Sequence, residues 1–167
     1  MLANGAQFHV LLNHFPVVLG VTSLPFLLFA LWKRNAVART ALLIGATLSV
    51  LAGLSVIPTY LSGEGAEEVV EHQPWFSETL LEQHEDAAKF ALAGTLLAGL
   101  AAGVVLFQLR KRAEPKIVFV AAALIFNGIA AGVTGYVAHL GGVIRHDELR
   151  AGAAEAAPTS PHAEDEE

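Results

Sequence analysis

The chain has 167 residues, 54% of them apolar and 16% charged, with a mean hydropathy of +0.52, which excludes a disordered chain and favours an integral membrane protein over a water-soluble domain. Sixteen acidic residues against ten basic ones give a net charge of −6, and that excludes a general basic surface for nucleic acid. The absence of cysteine excludes disulfides, thiolate zinc sites, cysteine-bound iron–sulfur clusters and covalently attached c-type haem, leaving seven histidines as the main carriers of chemistry.

The first charge-poor apolar run, 8–32, is longer than the about 20 residues a bilayer helix needs. With no basic residues ahead of it, it reads as a retained helix rather than a cleaved leader. His9 and His14 open this run. At about 100° per residue, Asn13, Pro16, Gly20 and Ser23 fall on one face beneath His9. Pro16 frees the carbonyl of Leu12 and permits a bend. After the link KRNAVAR comes the second run, 40–61, whose end at Pro58, Thr59 and Tyr60 reads as shaping a turn.

The connection 62–86 is acidic. EGAEEVVEH has helical spacing, Trp75 and Phe76 suit the headgroup level, and Thr79 with Glu82 fits a capping box that would start the next helix and carry it inward through His84. Glu68 and His72 stand at i, i+4, with Glu64, Glu67, Glu71, Glu85 and Asp86 near in sequence. They form an alternative carboxylate–imidazole site for zinc, copper or non-haem iron. The third run, 87–109, holds a single charge, Lys89, near one end, and sets Ala88, Ala91, Thr95, Ala98 and Ala102 beneath His84. The link RKRAEPK leads to the fourth run, 117–140, where Gly128, Gly132 and Gly135 share a face with His139. Asn127 lies about 120° from that face and reads as an interhelical hydrogen bonder. Arg145, His146 and Asp147 follow, and the tail 151–167 is rich in Ala, Pro and acid, without apolar period, so it reads as solvated chain.

The fold expected is therefore an all-α, four-helix transmembrane bundle over residues 1–150 with an acidic tail. Lys33, Arg34, Arg39, Arg110, Lys111, Arg112 and Lys116 all fall in the two short links, against a single acid there, Glu114. The positive-inside rule puts those links in the cytoplasm, with both termini and the 62–86 connection outside. That assignment uses no histidine, yet it places all seven at the outer ends of the spans. Neutral imidazole is a natural axial ligand for haem iron, and helix bundles build such sites from facing helices. With no cysteine and only Met1, a low-spin haem here requires two histidines. His14 and His84 are the first candidates and His9 and His139 the next, with Gly128, Gly132 and Gly135 as a surface for a macrocycle. His72, His146 and Glu68 complete the set. His9 and His14, about 140° apart on a regular helix, do not enter one small site together. Small residues on membrane helices are equally the ordinary means of close packing.

His9-Val-Leu-Leu-Asn-His14-Phe-Pro16 and His139-Leu-Gly-Gly142 resemble the opening and closing motifs of a bacterial family of four-helix predicted membrane proteins of unknown function. The resemblance covers roughly residues 8–146. It departs at Val10, where the family has proline, and around Val143 to Asp147, where the stretch is shorter. It implies a redox-associated membrane module that binds haem or another metal. The combined expectation is a bacterial inner-membrane electron-transfer subunit carrying one or two b-type haems near its periplasmic face. It would sit in a larger redox complex, with a quinol and a periplasmic cytochrome as redox partners. A membrane protein with a copper, zinc or non-haem iron site, and a structural anchor without cofactor, are the alternatives.

Overall fold

The computed structural model describes residues 4–33, 35–111 and 114–150, and among them every regular element is helical. Asn4 and Asn35 cap the first two helices, each side chain accepting the backbone N–H three residues on, from Gln7 and Ala38, at 2.9 Å. Helix α1 spans Gly5–Trp32, α2 Ala36–Leu61, α3 Gly63–Val70, α4 Glu78–Arg110 and α5 Ile117–Arg145, and a 3₁₀ turn follows at Asp147–Leu149. The capping box at Thr79 and Glu82 does not form. Helix α4 starts earlier, after Ser77, and no side chain caps it. It does run through His84, as the sequence leads one to expect. The tail 151–167, with His162, lies outside the described residues.

Among the described residues four helices are long and apolar enough to cross a membrane, so the chain reads as a multi-pass membrane protein. They form a ring in which α1 packs on α2, α2 on α4, α4 on α5, and α5, more sparsely, on α1. Each neighbour is antiparallel, and the bundle has two distinct ends. One carries His9, Ser62, α3 and His84. The other carries Lys33 over the Trp32 ring at 4.1 Å and Lys111 over the Phe107 ring at 4.5 Å, cation–aromatic pairs suited to a membrane interface.

Glycines set the close approaches. A Cβ on Gly99 of α4 would stand 3.3 Å from the Gly53 Cα and 3.4 Å from the Ser49 carbonyl oxygen of α2. Gly45 of α2 lies as tightly against Leu27 of α1, where a Cβ would be 3.1 Å from its Cγ. At the histidine end, the first turn of α1 presses on α3 so closely that Gly5 has no room for a side chain against Gly65. Toward the basic end the core is aliphatic, built from Leu27, Leu42, Val105, Leu109 and Val120 with Ala46, Ala102 and Ala123. Leu28, Leu54, Leu100, Ile125 and Ile129 point outward, as expected of helices in lipid.

Candidate functional site

Among the described residues, two histidines are half-buried at one end of the bundle. His9 lies in the second turn of α1 and His84 in the second turn of α4, on diagonally opposite helices. His9 Nδ1 lies 2.9 Å from Ser62 Oγ at the end of α2. That hydroxyl already donates its proton to the Thr59 carbonyl at 2.7 Å, so the imidazole must be the donor to it. His84 Nδ1 lies 3.1 Å from the Val137 carbonyl of α5, which can only accept. Both rings therefore carry their proton on Nδ1 and present Nε2 as a lone pair, the arrangement by which proteins orient metal-binding imidazoles. Gly141 lets the His84 ring approach α5 closely, since a Cβ there would touch its Cε1 at 3.4 Å.

The local sequence explains the support beneath His9. Pro16 deprives the Leu12 carbonyl of its helical partner, and Thr59 Oγ1 reaches across from α2 to it at 3.2 Å while also bonding the Ser55 carbonyl at 2.9 Å. Thr59 thus links both helices under the histidine, a larger part than shaping a turn. Ser62 had no signal in the sequence. Thr59 had one in retrospect: an exposed proline-freed carbonyl in an apolar helix calls for a donor nearby.

The remaining candidates lie elsewhere. His14 is exposed on the outward side of α1, its Nδ1 3.2 Å from the carbonyl of Val10 in its own helix. His139 is exposed, and so are Gly128, Gly132 and Gly135, at each of which a Cβ would meet nothing within 4 Å. This glycine face thus points away from the bundle. The inward face of α5 is Val120, Ala123, Asn127, Ala130, Thr134, Leu140 and Ile144. The small-residue faces of α1 and α4 do point inward, with Pro16, Gly20 and Ser23 buried on one and Ala91, Thr95, Ala98 and Ala102 on the other.

Glu68 and His72 are both exposed, and α3 ends at Val70, so the helical i, i+4 geometry that would pair them is broken. His72 instead has its Nδ1 3.4 Å from the Glu71 carboxylate and borders an open acidic cleft with Glu67, Glu82 and Glu85. Among the described residues no three His, Asp or Glu side chains converge on one point as metal ligands do. His146 pairs with Glu148 at 2.9 Å. The backbone N–H at Glu148 and the His146 ring hold that carboxyl below its usual range. Arg145 lies over the Trp75 ring at 5.1 Å, and Arg150 donates to the Trp75 carbonyl at 2.6 Å and to those of Ile144 and Val143. Together they strap the connection after α3 to the end of α5.

No family model, curated protein or solved structure matches the chain.

Proposed function

We propose that the chain is a haem-binding, electron-transfer subunit of a membrane redox complex, with His9 and His84 as the two axial ligands. The observation that carries this reading is the pair of imidazoles whose Nδ1 protons are tied down by Ser62 and the Val137 carbonyl, leaving two Nε2 lone pairs at one level of the bundle. A donor set of two neutral imidazoles fits a b-type haem, which already supplies four equatorial nitrogens. A closed zinc or copper site asks the protein for three or four ligands. Haem would bring one-electron redox chemistry, and the chain's residues would orient the ligands and tune the potential through the hydrogen bonds at Nδ1.

The positive-inside rule orients the protein with its basic links in the cytoplasm and the histidine end outside, in the periplasm if the cell is a bacterium with two membranes. The acidic connection at that end favours a basic partner, such as a soluble cytochrome, and a quinol in the lipid is the natural membrane-borne counterpart. The test is a reduced-minus-oxidised visible spectrum of detergent-purified protein, with a pyridine haemochrome assay. A sharp b-type band is expected. It should fall to background in His9→Ala and His84→Ala at unchanged helix content, and persist in His14→Ala and His139→Ala. A flat spectrum from protein produced with ample haem overturns the reading. Metal analysis then separates a copper, zinc or non-haem iron protein from an anchor without cofactor.

A further inference from the structure

The buried polar side chains of the bundle lie in only one half of its length. From His9 and His84 inward, the core-facing positions include Asn13, Thr134, Thr95, Asn127 and Ser49. One turn beyond Ser23 the layers become Leu27, Leu42, Val105 and Val120. Eleven residues of α1 separate His9 from Gly20, which lies beside Asn127, so at about 1.5 Å per residue the polar stretch is about 16 Å deep. That reaches roughly the middle of a hydrocarbon core about 30 Å thick.

Three oxygens along this stretch have no partner: Asn13 Oδ1, Thr95 Oγ1 and Asn127 Oδ1. Asn127 is 1% exposed. Its amide nitrogen donates to Ser49 Oγ at 2.7 Å and to the Ala123 carbonyl at 2.8 Å. Because a carbonyl can only accept, that contact fixes which amide atom is nitrogen and leaves the oxygen free. Thr95, 2% exposed, makes no bond even to the carbonyl four residues back, whereas Thr134 makes that bond to Ala130 at 2.8 Å. Unpaired polar atoms in a lipid-embedded core are costly, and natural structures meet them with a ligand or an ordered water. There is space beside one of them. Gly20 is buried, yet a Cβ on it would meet only Asn127 Oδ1, at 3.8 Å. That gap takes a methyl-sized group, about the bulk of one water molecule.

We propose that this half of the core is a water-binding half-channel: a file of water molecules runs from the His9–His84 pair past Asn13 and Thr95 to Asn127, where the aliphatic layers close it. Waters of the file donate to the three free side-chain oxygens, and the aliphatic layers keep the file from crossing the membrane.

The chain lacks cysteine, so single thiols report directly. Thr95→Cys, Asn13→Cys, Val105→Cys and Leu27→Cys, each in lipid nanodiscs with both faces open, would be exposed to Ag⁺, an ion close to water in size. Unreacted thiol would then be counted with a maleimide after denaturation. Thr95→Cys and Asn13→Cys should react at least tenfold faster than Val105→Cys and Leu27→Cys. Equal, slow reaction of all four would mean a dry core, and equal, fast reaction would mean an open pore, and either overturns the proposal. If a variant fails to fold, water-edited solid-state NMR of the unmutated chain decides. Water-to-protein transfer should reach the Asn127 side chain and not Val105, and silence at Asn127 ends the idea. Both readouts are independent of haem, so a colourless protein with a reactive Thr95→Cys keeps the half-channel and discards the haem.

Discussion

The Nδ1 proton of His9 is held by a side chain 53 positions away, and if His9 is a haem ligand this is where its chemistry can be tuned. Ser62→Ala removes the acceptor for the His9 Nδ1 proton and frees the ring to turn or change tautomer. Loss of such a supporting bond ordinarily lowers metal affinity about 10–100-fold, so the variant should bind haem more weakly in a haem titration while its helix content is unchanged. Thr59→Val, which leaves the Leu12 carbonyl without its cross-helix donor, should act in the same direction through the position of α1. The histidines themselves were readable in the sequence as the chemically distinctive residues, and their shared end followed from the basic links. Which two would meet was not readable. The choice between His9 and His14 depends on how α1 is rotated, and an apolar helix offers no polar face to fix that rotation.

The same physical reason accounts for what could and could not be read of the helices. Length and charge-poor runs mark the four long helices because lipid demands about 20 apolar residues of each. Their ends extend past those runs, as with α4 from Glu78 and α5 to Arg145, because helix geometry continues into the interface. In water a helix shows its inside by being apolar there. In lipid both sides are apolar, so the glycine face of α5 looked like a packing or cofactor surface and lies outside the bundle, while the crossing that needs glycine is Gly53 against Gly99. This makes a paired prediction. Gly99→Val drives a side chain into the α2 backbone and should cost about 1–3 kcal/mol as overpacking, seen as a lower melting temperature in detergent. Gly132→Val, with open space around it, should leave the melting temperature unchanged or slightly raised, since it replaces a helix-weakening glycine. The strap at Arg150 is a third local device. Arg150→Ala releases the Trp75 carbonyl, so amide hydrogen exchange should accelerate in the segment 73–77 and stay unchanged within α2.

The molecule as a whole is asymmetric along the membrane normal in two ways. Its surface is acidic at the histidine end and basic at the other, and its core holds buried polar side chains in one half and is wholly aliphatic in the other. The first asymmetry follows from the order of charges along the chain. The second emerges only on assembly, because Asn127 and Ser49 are 78 positions apart and Thr95 faces neither until α4 is seated. If the acidic end docks a basic redox protein, raising the salt from about 0.05 to 0.5 M should weaken that association steeply, since the screening length between exposed charges falls from about 14 Å to about 4 Å. Each long helix by itself is apolar enough to enter a bilayer, and none needs its polar core residues matched in order to do so. Biogenesis thus divides into threading, which is indifferent to Asn13, Thr95 or Asn127, and closure, which is not. An error in those residues is expected to yield a chain inserted in the correct orientation but left ajar, with its polar core atoms open to the lipid.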